Sequence, residues 1–220
     1  MFENIAYWLF TSYRRKNIDR DLYSIKKYFS GRVLDIGGGH ERGNFQKNRN
    51  KNWVIADIDK TFNPDVVCDV QKLPFKNNSF DVVKATELFL YVDQPQKGLS
   101  ECFRVLKKGG FLVLSFPFLT PVDTEQHDGY RLSEYWIKNN LKRLKSKVIL
   151  FKVQGVFFTV LADYLKWWIS HWYFPFRILA YFVLLPLLDL AVMIEDRKLI
   201  SKHKFFKRFP SGYFVVSQKK

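Results

Sequence analysis

The stretch Val33-Leu-Asp-Ile-Gly-Gly-Gly-His40 limits the fold more than any other part of the chain. Val33 to Ile36 is a short, mostly apolar run, suited to a strand covered on both faces. Gly31 precedes it, and Gly37, Gly38 and Gly39 end it abruptly. Such a glycine turn lets a ligand approach the backbone closely. A helix is expected next, so its free N–H groups would face whatever sits over the turn. Asp35 lies inside the strand, where its carboxylate would attract a positively charged cofactor.

The same alternation continues along the chain. Asn52–Asp59 reads as a second strand ending in acids, with Asp57 twenty residues after Gly37. A carboxylate at the tip of a second strand can accept hydrogen bonds from both ribose hydroxyls. Asp65–Val70 is expected as a third strand, and Phe80–Thr86 as a fourth. A helix over Gln96–Lys107 places Leu99, Cys102, Phe103 and Leu106 on one face, with Gly109-Gly110 as its stop. Phe111–Phe116 reads as a fifth strand. Beyond it come a helix over Ser133–Leu141 with Ser133 as its cap, a sixth strand over Lys147–Val153, and a seventh over Gly212–Ser217 closing the sheet as an antiparallel edge. Strand–helix alternation predicts an α/β, Rossmann-like, seven-stranded and mostly parallel sheet with helices on both faces. Ligands bind at the carboxyl ends of such strands, where Asp57, Asp69, Thr86 and Ser115 stand.

Four segments follow: N-terminal helices over 1–30, a cofactor-binding core over 31–155, an apolar and basic helical insertion over 156–209, and the last strand over 210–220. In the first segment, Arg14-Arg-Lys16 falls near the join of two helices expected to pack on the core or cover the site. The insertion is almost continuously apolar and aromatic from 156 to 194. Phe174–Ile194 approaches the length of a membrane span, but Arg177, Asp189, Pro175 and Pro186 interrupt it. An in-plane or shallowly re-entrant hairpin is the favoured reading, with a lid over a greasy acceptor or a subunit interface as alternatives. Net charge is +15, and residues 131–220 hold 17 Lys and Arg against 5 acids. Such a field favours an anionic partner, phospholipid head groups of a membrane surface, a phosphorylated carrier or a nucleic acid, with a solvated basic surface that has no partner as the alternative. A nucleic acid is not expected, because the basic region is greasy and is not a groove with stacking platforms. Cys68 and Cys102 are expected as free thiols, and no spacing among the cysteines and histidines suits a metal. The N-terminus lacks the pattern of a secretory signal. The expected location is cytoplasmic, peripheral on the inner face of the membrane.

Five stretches in order carry a family resemblance: Val33-Leu-Asp-Ile-Gly-x-Gly39, Ala56-Asp-Ile58, Asp69-Val-Gln-x-Leu-Pro-Phe75, Ser79-Phe-Asp-Val-Val83 and Arg104-Val-Leu-Lys-Lys-Gly-Gly110. Together they resemble the class I S-adenosylmethionine-dependent methyltransferases, in the small-molecule, type 11-like group. The resemblance implies that Asp35 faces the positive methionine end of S-adenosylmethionine and that Gly37, Gly38 and Gly39 let the backbone pass close to it. It implies Asp57 on the ribose hydroxyls, Ile58 against the adenine, and Asp69 with Val70 along the adenine edge. Thr86 and Glu87 would line the pocket near the reactive methyl. Two departures stand out: Glu41 occupies the position of a third glycine, and Phe89-Leu-Tyr91 replaces a Glu-His pair common in the family. A dinucleotide-binding reading of Gly37, Gly39 and Gly43 is disfavoured, since Asp35 would repel a pyrophosphate.

The loop after the fifth strand holds His127-Asp-Gly-Tyr-Arg131. His127 is the candidate catalytic base, with an ordinary pKa suited to taking a proton. Asp128, Tyr130 and Arg131 are the candidate acceptor-binding residues, Arg131 for an anionic group. The resemblance leans towards relatives that methylate surface polysaccharides. The expected acceptor is therefore a saccharide or lipid-linked intermediate of the cell envelope. A quinone or lipid methyltransferase is the alternative, as is a membrane-associated binding protein with a degenerate cofactor site.

Overall fold

Five parallel strands carry the site: β1 (Val33–Ile36), β2 (Trp53–Asp57), β3 (Val66–Val67), β4 (Phe80–Thr86) and β5 (Leu106–Pro117). In the computed structural model, which describes residues 7–38, 45, 52–123, 128–195, 200 and 203–220, they join β6 (Lys147–Val153) and β7 (Gly212–Gln218) in one sheet. The order is β3-β2-β1-β4-β5-β7-β6. β7 runs antiparallel to both β5 and β6, so the sheet is the expected seven-stranded, mostly parallel one.

Three elements differ from the sequence reading. The third strand stops at Val67, because the Asp69 carboxylate accepts the Gln71 amide at 2.8 Å and starts a 3-10 turn over Val70–Lys72. Helix α2 (Pro95–Val105) ends before the double glycine, which lies inside β5. Fully buried Leu106 already pairs with Phe80, and a register shift before Val82 takes up the extra residues. β7 is not an edge. Its residues from Gly212 to Ser217 are all buried, as suits a central strand, while β6 is exposed at Lys147, Val148 and Ile149 and forms the lysine-bearing edge.

Helix α1 (Tyr13–Ser24) begins at Ser12, whose hydroxyl accepts the Arg15 amide at 3.1 Å. It sets Ile18, Leu22 and Ile25 onto Val33, Val82, Val113, Phe214 and Val216 on one face of the sheet. Each such side chain contributes about 1.5–3 kcal/mol when fully buried. On the other face, α2 and α3 (Glu134–Arg143) bury Leu99, Cys102, Ile137 and Leu141. The two cysteines are free.

The insertion forms two helices, α4 (Phe157–Ser170) and α5 (Phe174–Glu195). It is fastened to the N-terminal segment by polar contacts. Asp163 on α4 accepts the Tyr13 and Arg14 amides at 2.6 and 3.0 Å. Lys166 donates to the carbonyls of Trp8 and Thr11 at 2.9 and 2.6 Å. Asp189 on α5 accepts Trp8 Nε1 at 2.6 Å and the Tyr13 hydroxyl at 2.7 Å. Glu195 caps the start of α4, accepting the amides of Val156, Phe158 and Thr159 at 2.8, 2.6 and 3.0 Å. The result is that α1 is clamped between the sheet and the hairpin, over the carboxyl ends of the central strands.

Candidate active site

The turn after β1 is built as the glycines require. Gly37 has φ +72°, and a Cβ on Gly38 would lie 2.6 Å from the carboxylate carbon of Asp35. Gly39 lies outside the described residues. Asp35 itself is fully buried and is not left facing a cofactor. Parallel register sets it beside Lys84 of β4, whose Nζ donates to both carboxylate oxygens at 2.8 and 3.0 Å. The Asp35 charge is thus met inside the protein by Lys84, and Lys84 is the member of the pair that reaches the cavity above. A lysine flanked by Val82, Val83 and Ala85 in the middle of a strand was the sequence signal. A buried cation needs a carboxylate nearby, and Asp35 is the only acid on β1.

That cavity sits at the carboxyl ends of β1, β2 and β4. Gly37, Asp57, Ile58, Thr86 and Glu87 line it, joined by Lys84, Tyr91, and Arg15 and Asp19 from α1. The Asp57 carboxylate stands at the tip of β2 and accepts the Asp59 amide at 3.1 Å. Ile58 is 70% exposed, open to pack against a flat ligand. Asp69 and Val70 are not among the lining residues. The Asp69 carboxylate is engaged by Gln71, through its amide and its side chain, and Val70 is buried in the core against the α2 side. The cavity fits a nucleoside-bearing cation in two respects. Its glycine turn admits a close approach, and three carboxylates (Asp19, Asp57, Glu87) face two cations (Arg15, Lys84) among its lining residues.

Glu87 follows β4 directly, in the left-handed region at φ +58°, a conformation that costs about 1–3 kcal/mol for a residue with a side chain. Its carboxylate is held by Arg14, with Nε at 2.9 Å, and by the Ser115 hydroxyl. Burial pushes the Glu87 carboxyl up, but the Arg14 guanidinium outweighs it and holds the group below the usual carboxylate range. Arg14 is itself buried, and its Nη1 has no hydrogen-bond partner among the described residues. A Cβ at Gly212 would fall 1.9 Å from that nitrogen, so the glycine on β7 makes room for the guanidinium. The polar chain continues inward: Ser115 lies 3.3 Å from Gln154, whose Nε2 donates to Asp21 at 2.8 Å.

A second cavity of about 870 Å³ lies between α1, the loop after β5, and α4. It shares Arg15, Glu87 and Tyr91 with the first. Asp128 lines it, but its carboxylate is bound by both terminal nitrogens of Arg131, Nη2 at 2.7 Å. Those hydrogen bonds hold Asp128 below the usual range. Arg131 is thereby engaged and is not a free anion-binding group. Tyr130 lies off this cavity, donating to the Asp93 carbonyl at 2.8 Å. His127 is outside the described residues. A histidine that sequence reasoning missed, His171 at the end of α4, lines the cavity beside Trp167. Its Nδ1 lies 2.8 Å from the Trp167 carbonyl, which can only accept, so Nε2 is left as the proton acceptor in the neutral ring.

Residues 34–114 match a family model described as a methyltransferase domain. A ubiquinone/menaquinone biosynthesis C-methyltransferase UbiE of Ruegeria sp. is 46% identical over 52 residues, 23% of this chain and 21% of that protein. A demethylmenaquinone methyltransferase of Clavibacter sepedonicus is 38% identical over 81 residues, 37% of this chain and 33% of that protein. The chain thus spans between a fifth and a third of the length of these relatives. Among solved structures, the [4+2]-cyclase SpnF has the same fold, with a TM-score of 0.60 at 13% identity over 91% of this chain and 81% of that one. The matched segment holds the glycine turn, Asp57 and Glu87, and over it the chain is similar to a methyltransferase domain.

Proposed function

We propose that this chain transfers a methyl group from S-adenosylmethionine to a small or carrier-linked acceptor held in the second cavity. The observation that carries this reading is the shared wall: Arg15, Glu87 and Tyr91 border both cavities, so groups bound on either side meet there. S-adenosylmethionine supplies a methyl carbon open to displacement by a nucleophile. Asp57 would hold the ribose, Ile58 the adenine face, and Gly37 the methionine end. Arg14 and Ser115 keep Glu87 charged and fixed on the wall, and α1 shields that wall from water, which favours a set orientation of the acceptor. The His171 Nε2 would accept a proton from an acceptor hydroxyl or amine.

The acceptor we favour is a saccharide or lipid-linked envelope intermediate. The polar lining from Arg15, Asp123, Asp128 and His171 beside the flat face of Trp167 suits a hydroxyl-rich ring. The names of the quinone-methylating relatives favour a second reading, a lipid-soluble aromatic acceptor. Calorimetry with S-adenosylmethionine tests the first step. The wild-type chain is expected to bind and Asp57→Ala to bind at least tenfold more weakly; absence of binding by the folded wild type overturns the proposal. Methyl-labelled cofactor with an undecaprenyl-linked saccharide, and separately with demethylmenaquinone, then decides between the acceptors.

A further inference from the structure

We infer that the α4–α5 hairpin is an in-plane anchor for a bilayer containing anionic lipid. α5 is long and apolar enough to cross a membrane, with a mean hydropathy of 2.1 over its 18-residue window, of which 28% is buried. Leu179, Phe182, Leu187 and Leu190 are each more than half exposed, at helical spacing along one stripe. On α4, Trp167 and Trp168 are likewise more than half exposed, with Tyr164 beside them in the helical repeat. Soluble monomers rarely leave a contiguous apolar surface of this kind uncovered. Tryptophan and tyrosine suit the head-group level, where one end of the ring is wet and the other apolar.

The inner side of the hairpin decides between lying on the membrane and crossing it. Asp189 is tied to Trp8 and Tyr13, and Glu195 holds the first amides of α4. Tyr181 and Leu185 are buried with Ile169. A crossing α5 would break these contacts and carry two acids into hydrocarbon, whereas an in-plane hairpin keeps every one of them. Charge complementarity identifies the lipid. Lys204, Lys207 and Arg208 are exposed, on a turn fixed to the start of α4 by Phe157, whose ring lies 6.0 and 5.3 Å from those of Phe206 and Phe209. Cations beside an apolar face favour anionic head groups. Trp167 belongs to both the exposed stripe and the second cavity, so a docked hairpin brings the mouth of that cavity to lipid. This last point rests on the proposed acceptor role of the cavity; the anchor itself does not.

Co-sedimentation of the full chain with phosphatidylcholine vesicles, with and without phosphatidylglycerol, tests the anchor. The wild type is expected to sediment with the anionic vesicles. Leu179→Ser/Phe182→Ser/Leu187→Ser is expected to lose at least tenfold in partitioning. Lys204→Glu/Lys207→Glu/Arg208→Glu, which leaves the hairpin intact, is expected to lose about 100-fold on anionic vesicles, at roughly fivefold per cation, and little on neutral ones. A wild type that stays in the supernatant overturns the inference, as does a charge variant that binds anionic vesicles as tightly as the wild type. A concentration-dependent dimer lost in the serine variant, with no vesicle binding, assigns the face to a second copy. Cofactor calorimetry without vesicles keeps the two proposals apart, because its failure leaves the sedimentation result standing.

Discussion

Replacing Lys84 by methionine isolates the pair that neutralises Asp35. The Lys84 side chain is 4% exposed, that of Asp35 is fully buried, and both carboxylate oxygens are bonded, at 2.8 and 3.0 Å. Methionine keeps most of the volume and removes the charge, stranding a carboxylate in the centre of the sheet. Breaking a buried pair from one side costs about 3–5 kcal/mol, against a total stability of about 5–15 kcal/mol for a domain. At a urea dependence of about 2 kcal/mol per molar, the unfolding midpoint should fall by about 2 M. Urea titrations followed by circular dichroism measure this directly. Asp35→Leu/Lys84→Met should recover at least about 2 kcal/mol, because an apolar pair of similar volume is often neutral relative to a buried ion pair. A loss below about 1 kcal/mol for Lys84→Met, or a double variant no more stable than the single one, would refute the reasoning.

Gly212→Ala should cost at least about 3 kcal/mol in urea unfolding, because the new methyl takes the place of the Arg14 guanidinium and breaks the buried pair with Glu87. Arg14→Met should be destabilising in a pH-dependent way. The folded-state pKa of Glu87 is depressed, so the stability it confers is full above the unfolded value of about 4.3 and is lost as pH falls through the folded one. The gap between Arg14→Met and the wild type should therefore be widest near neutrality and should narrow below about pH 4, as read from urea midpoints across pH. His171→Gln should lower methyl transfer by about 10²-fold or more while calorimetry shows unchanged S-adenosylmethionine binding. Unchanged turnover would remove His171 as the proton acceptor.

The sheet was legible because its strands are short apolar runs cut by glycine and turn residues, and β6 was read to the residue. The rank of β7 was not, yet a signal existed: Gly212–Ser217 is apolar on both faces, while β6 carries lysines at Lys147 and Lys152. Asp57, Ile58, Thr86 and Glu87 could be placed because they stand at strand ends, where position along the chain determines position in space. Arg14 and Arg15 stood out only as part of a basic cluster, and Asp19 not at all, because their roles depend on how α1 docks, and no local pattern encodes that. Lys84 was visible in the sequence, but its partner lies 49 residues away and meets it only through strand register.

The clamp on α1 also has a consequence for the order in which the molecule can be completed during synthesis. Arg15 and Asp19 complete a cavity whose other walls come from β1, β2 and β4. The helix that bears them packs against Phe214 and Val216 and is tied to Asp163 and Asp189. A growing chain thus has its first helix early but cannot seat it until the hairpin and the last strand have left the ribosome. Cofactor would find its full set of contacts only once Phe214 and Val216 are in place, and nascent chains halted before residue 212 should not compete for it.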